Sequence, residues 1–199
     1  MPHNLCRIDV TVSPRGQHLT IANTDTQDGP LHTPSPQENN ATVYEALDAL
    51  PDDLKWAAYR CTIPGGGKTL ADAMKIGSSV AVSDASLKSC FGTAAFVIEG
   101  PTDIHRAVGV NIVPGPVKDG DSYRCELSGL IGAMTVVRAI CQSHNVSSGG
   151  MQVACDNIST LRIFKPDFVP EPTQESFDLV CSLWQLVQTI PIRLEAVHV

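Results

Sequence analysis

Three apolar runs decide the fold: SVAVSDA (79–85), GTAAFVIEG (92–100) and HRAVGVNIVP (105–114). Each is short, rich in Val, Ile and small residues, and bounded by turn formers, which is the signature of consecutive strands. Gly92 falls at the first connection and Gly100-Pro101-Thr102-Asp103 at the second, so an antiparallel meander is expected. From Ser122 the period changes, with Leu127, Leu130, Ile131, Met134, Val137 and Cys141 recurring at helical spacing. Asp121 or Ser122 can cap that helix. The loop SHNVSSGG (143–150) ends it, MQVACD (151–156) reads as a short buried strand, and NISTLRIF (157–164) as a brief helix. A further helix over 172–190 presents Phe177, Val180, Cys181, Trp184 and Val187 on one face, and RLEAVHV (193–199) closes as a strand. The expected class is α/β: a five-stranded mixed sheet, three antiparallel strands and then helix, strand, helix, helix, strand, flanked by its helices.

Upstream the texture differs. Residues 15–42 are dense in Pro, Asn, Gln, Thr and Asp and too poor in large apolar groups to offset chain entropy, so they read as a loop or disordered linker. Val43, Leu47 and Leu50 then lie at helical spacing behind Thr42, with Glu45 three residues on, a capping-box arrangement. That helix should stop near Pro51, with a second through Leu54 and Trp56. PGGGKT (64–69) echoes a phosphate-binding loop, but Thr62 stands where the first glycine is required, so it reads as a turn into a helix beginning near Thr69. The expected organisation is a loop-rich N-terminal extension over 1–77 and a folded domain over 78–199.

The 199 residues carry a formal net charge of −7, which argues against coating nucleic acid by electrostatics alone. Any nucleic-acid role must rest on a local site. Seven cysteines without a Cys-x-x-Cys pair indicate neither a zinc site nor a disulfide framework, and those at 125, 141, 155 and 181 read as small core hydrophobes. No signal peptide or membrane span is read, and an intracellular location, cytoplasmic or nuclear, is expected.

Three acidic residues stand out: Asp84 in SVAVSDAS, Glu126 in SYRCELSGL and Asp156 in MQVACDNIS. Each follows or interrupts an apolar stretch of a predicted strand or helix. If the two strands are neighbours, both aspartates emerge together and Glu126 reaches over from the helix. Crowded carboxylates repel one another, and a hard divalent cation such as magnesium, with manganese as a substitute, relieves them. The ordinary alternative for any one of the three is a solvated charge or a cap.

The strand order and these motifs resemble the ribonuclease H domain of retroelement reverse transcriptases, over roughly 78–199, with the preceding part resembling a connection segment. The resemblance implies that Asp84, Glu126 and Asp156 hold metal and carry out hydrolysis of the RNA strand of RNA:DNA hybrids, within a larger reverse transcriptase polyprotein. It also implies hybrid contacts from residues beside the motifs, for which Ser86, Lys88, Ser89 and Asn157 are candidates. In the family a further His and a fourth metal-binding Asp follow the last strand, and neither is matched here. Weak or absent cleavage is therefore expected, and an inert binding or structural module is the alternative. His198 reads as a packed strand-end histidine and Asp178 as a solvent-facing charge on its helix.

Overall fold

The computed structural model describes residues 8–12, 19–23, 42–89, 91–102, 106–115 and 120–199. The chain divides into two units, Met1–Gln37 and Glu38–Val199. In the first, β1 (Ile8–Val12) and β2 (Leu19–Asn23) pair antiparallel, with Val10 opposite Ile21. Strand β2 falls inside the stretch read as a linker, where Leu19 and Ile21 alternate with polar residues; the rest of 15–41, together with Cys6 and Cys90, lies outside the described residues.

The second unit is built on a six-stranded sheet in the order β3-β6-β5-β4-β7-β8. Its centre is the expected meander, β4 (Ser79–Lys88), β5 (Phe91–Glu99) and β6 (Ala107–Ile112), antiparallel throughout. Strand β7 (Gly150–Cys155) lies parallel to β4, and β8 (Arg193–His198) parallel to β7. The sheet has one strand more than expected, β3 (Arg60–Thr62), which pairs antiparallel with β6. Three residues are too few for an alternation to show in sequence. Gly92 lies within β5 rather than in a turn; Ser89, at φ 49°, makes the left-handed turn residue. A Cβ on Gly92 would stand 2.6 Å from Cys125 Sγ, so this glycine serves close approach.

Helix α1 (Val43–Asp48) has the expected capping box: the Glu45 N–H donates to Thr42 Oγ1, and the Thr42 N–H to Glu45 Oε2 at 2.7 Å. A 3-10 turn, Lys55–Ala58, replaces the expected second helix. Gly65, Gly66 and Gly67 all have positive φ and lead into α2 (Lys68–Lys75), with Lys68 Nζ bound to Asp72 at 2.8 Å. Because Val43, Leu47, Ala57, Ile63, Leu70 and Met74 are buried in the same core as the sheet, residues 43–76 and the strands after residue 78 share one hydrophobic interior.

Helix α3 (Ser122–Ser143) is the central element. It lies against β4 and β5 and between α1 and α5 (Phe177–Thr189), so it is buried on nearly all sides rather than along one stripe. By length and composition α3 could cross a membrane, but most of its surface is buried inside the protein. Its small residues admit the sheet. A Cβ at Gly132 would come within 2.7 Å of Phe96 Cε1 and 2.9 Å of the Ala57 carbonyl, and the far end of the Phe96 ring occupies the space a Cβ on Gly109 would take. Buried Asn111 bridges the same contact, donating from Nδ2 to the carbonyls of Ser128 (3.0 Å) and Ala57 (3.3 Å). On α5 the buried residues are Leu179, Val180, Leu183 and Leu186. The seam is thus rotated from the face expected, with Phe177, Cys181, Trp184 and Val187 at its margins, and Trp184 Nε1 donates to the Phe168 carbonyl. The opposite face of the meander is open, exposing Val108, Val110 and Ile112.

Because the contact at Gly132 is with backbone as well as a side chain, Gly132→Ala should overpack it. The expected loss is about 1–3 kcal/mol of unfolding free energy, read as a lower urea midpoint at unchanged slope.

Candidate metal centre

The parallel pairing of β4 and β7 sets the site. Its register runs Ser79↔Met151 to Val82↔Ala154, so Asp84 and Asp156, two residues further along each strand, fall at matching levels. Asp156 directly follows β7. Asn157 then caps the short helix α4 (Ile158–Leu161), its Oδ1 accepting the N–H groups of Ser159 and Thr160. This turn leaves the Asp156 carboxylate exposed at the strand end. From the other side Asp121 caps α3 by accepting the Arg124 N–H at 2.6 Å, which orients the first turns and brings buried Glu126 over the end of β7.

There Glu126, Cys155 and Asp156 each offer a ligand atom, and the three atoms lie within 4.8 Å of one another. Cys155 Sγ is 3.6 Å from Glu126 Oε2 and 3.9 Å from Asp156 Oδ1. Burial pushes the Glu126 carboxyl up from its ordinary value and the charge of Asp156 adds to the rise; a hydrogen bond from Cys155 opposes it, the more distant charge of Asp84 adds a smaller rise, and the Ala85 N–H opposes least. Burial also pushes the Cys155 thiol up. Desolvation and like charge act together here, the condition a divalent cation relieves.

Asp84 stands apart from this compact set. It lies inside β4, its carboxylate exposed and accepting the Ala85 N–H at 2.9 Å. Pairing aligns Asp84 with Ala95, Val110 and Arg60 across four strands. Asp84 and Ser86 line a groove there with Trp56, Tyr59 and Arg60. Lys88 and Ser89 are exposed at the far end of β4, in the turn to β5. Asn157 Oδ1 is committed to its cap.

Three features extend or correct the sequence reading. Cys155 is buried in the hydrophobic core, as read, but its Sγ also lies among the carboxylates. Its one sequence signal is adjacency to Asp156, since what makes it part of a site is Glu126, 29 residues away. His198 is exposed rather than packed, and its Nε2 donates to the Asp156 carbonyl at 2.9 Å. Asp178 is no free surface charge: it accepts from Arg124 Nη1 at 2.7 Å and Nη2 at 2.6 Å. Arg124, buried in the first turn of α3, also donates from Nε to the Pro114 carbonyl at 2.8 Å. Partial burial works to raise the Asp178 carboxyl, but the bonds and charge of Arg124 outweigh it and hold it below the ordinary value.

Asp178→Asn should therefore destabilise the fold by about 1 kcal/mol at neutral pH, less than a fully buried pair because the carboxylate is mostly solvent-screened. With a folded value depressed below 3.8, the wild-type advantage is full above that pH and should vanish as the carboxylate protonates below it. Urea unfolding across that range reads the difference.

Neither a family model nor a curated protein matches the sequence. Among solved structures, the chain is similar to ribonuclease H1 from the halophilic archaeon Halobacterium salinarum, at 10% identity over 62% of this chain and 86% of that one, with a TM-score of 0.45. It is also similar to an N-terminal ribonuclease H domain from Mycobacterium tuberculosis, at 14% identity over 60% and 81%, TM-score 0.39. A foamy viral protease-reverse transcriptase is 14% identical over 67% of this chain and 25% of that chain, TM-score 0.37. The strand order itself defines the class as α/β: an antiparallel meander whose first strand is extended by two parallel strands, with α3 as the crossover, in a six-stranded mixed sheet flanked by helices.

Proposed function

We propose that this chain is a ribonuclease H module of a retroelement reverse transcriptase, hydrolysing the RNA strand of RNA:DNA hybrids with a divalent metal. The observation that carries the reading is the convergence of Glu126 and Asp156 at the end of β7, with the Asp84 charge felt at Glu126. The donor set fits a divalent cation, because a buried carboxyl beside a second carboxylate is poorly stabilised on its own. Glu126 and Asp156 would hold magnesium or manganese, with Asp84 facing the same substrate from β4. When bound, such an ion supplies an activated water and charge neutralisation at the phosphodiester. Ser86, on the groove wall, and Lys88 and Ser89, at the β4 turn, are available to the hybrid backbone and its 2′-hydroxyls. Asn157 retains its Nδ2 donor for the same use.

A second reading, an inert ribonuclease-H-like module that binds nucleic acid, is favoured by one observation: Asp84 lies outside the compact set that Cys155 enters. Measuring hybrid binding and cleavage together separates the two, since binding without cleavage in magnesium or manganese selects the inert module.

Under the nuclease reading Glu126→Gln should abolish cleavage. It should also raise the thermal midpoint of the metal-free protein at neutral pH. The folded carboxyl is raised above 4.5, so its favourable contribution is full below that value and lost as pH rises and it ionises. The rise in midpoint that saturating manganese gives the wild type should shrink in the variant. Undiminished cleavage by Glu126→Gln would remove the nuclease assignment.

A further inference from the structure

We propose that the centre at the end of β7 is a mixed sulfur–oxygen site, in which the Cys155 thiolate joins Glu126 and Asp156 as a ligand, and that it takes a thiophilic divalent cation such as zinc in preference to magnesium. This rests on reading Glu126 and Asp156 as metal ligands, and does not depend on hybrid cleavage.

The first argument is a shortage of protons. Cys155 Sγ is 3.6 Å from Glu126 Oε2, 3.9 Å from Asp156 Oδ1 and 3.5 Å from Thr160 Oγ1. The Thr160 hydroxyl already donates to the Asn157 carbonyl at 2.7 Å, so it can only accept from the sulfur. One thiol hydrogen thus faces three acceptor oxygens and can serve one. A cation in place of that hydrogen satisfies sulfur and both carboxylates together, with the thiol proton released to solvent.

The second argument is spacing. Zinc bonds of about 2.3 Å to sulfur and 2.0 Å to oxygen place tetrahedral S and O ligands about 3.5 Å apart. The two Sγ–carboxylate separations are within a few tenths of an ångström of that. Soft thiolate ligands select zinc over magnesium, which demands oxygen.

A separate observation comes from the other strand. Ser83 is 5% exposed, and its Oγ meets the Cys155 thiol without the alignment of a full hydrogen bond. The register of β4 and β7 carries Ser83 to the level of Cys155, on the same face, and its hydroxyl lies against the thiol. A buried hydroxyl whose contact is a poorly aligned bond to a neutral thiol is incompletely satisfied. A metal-bound thiolate or metal-bound water gives it a full partner. The Asn157 N–H also points at Sγ, at 3.4 Å, an orientation suited to a sulfur bearing negative charge.

Cadmium is the direct probe, because a thiolate ligand gives a sulfur-to-cadmium charge-transfer band in the ultraviolet. The full chain should be titrated with cadmium, zinc and magnesium as wild type, Cys155→Ser and Glu126→Gln, the difference from Cys155→Ser cancelling the other six cysteines. Expected are loss of one band increment and at least about a tenfold loss of zinc affinity in Cys155→Ser, with magnesium affinity unchanged. A cadmium-113 resonance in the sulfur-ligated range that is present in the wild type and lost in Cys155→Ser supports the proposal. If Cys155→Ser keeps the full band and zinc affinity while Glu126→Gln loses metal, the proposal is overturned and the carboxylate site stands. If neither substitution changes metal binding, both readings fall.

Discussion

Everything in the second unit depends on how closely α3 approaches the sheet. Gly132 and Gly109 clear the space, the Phe96 ring fills it, and Asn111 binds the helix carbonyl of Ser128 across the gap. With the sheet on one side and α1 and α5 on others, this helix is desolvated on nearly all sides, which is why even Ser128 and Thr135 are buried. The same closeness fixes where the first turns of α3 emerge. Glu126 therefore arrives over the end of β7 as a consequence of packing more than a turn further along the helix.

Around that point the electrostatics divide into two kinds. Arg124 and Asp178 form a matched pair in which opposite charge compensates the cost of burial, tying α3 to α5. Two residues on, Glu126 and Asp156 are an unmatched pair in which burial and like charge add. A helix that supplies a bidentate ion pair from one face and, two residues on, a crowded carboxylate from the opposite face separates support from chemistry. The supporting pair keeps the helix start in register while the other remains receptive to a cation.

The meander was legible because one of its faces is open: Ala107, Gly109 and Asn111 point inward while Val108, Val110 and Ile112 point out, leaving small and large residues in alternation. The capping box at Thr42 and Glu45 was equally plain, being local. What escaped was long-range. The seam of α5 could not be phased from sequence because apolar residues border it on both sides. Arg124 and Asp178 are 54 positions apart, and nothing local distinguishes either from a surface charge. Glu126 and Asp156 were nameable through motif wording and strand order, whereas Cys155 looked like any small residue of a buried strand until Glu126 was placed above it.

The loop that carries Asp156 is fastened from outside its own strand. The His198 ring holds the Asp156 carbonyl, and the Val199 N–H holds that of Cys155 at 3.3 Å, so β8 acts as a clasp on the two residues that matter most. Among the described residues β8 is the outermost strand, paired with β7, the place where a ladder frays first. Release of His198 and Val199 would free the carbonyls of Asp156 and Cys155 together, so the aim of the acid depends on how well the end of this strand is held.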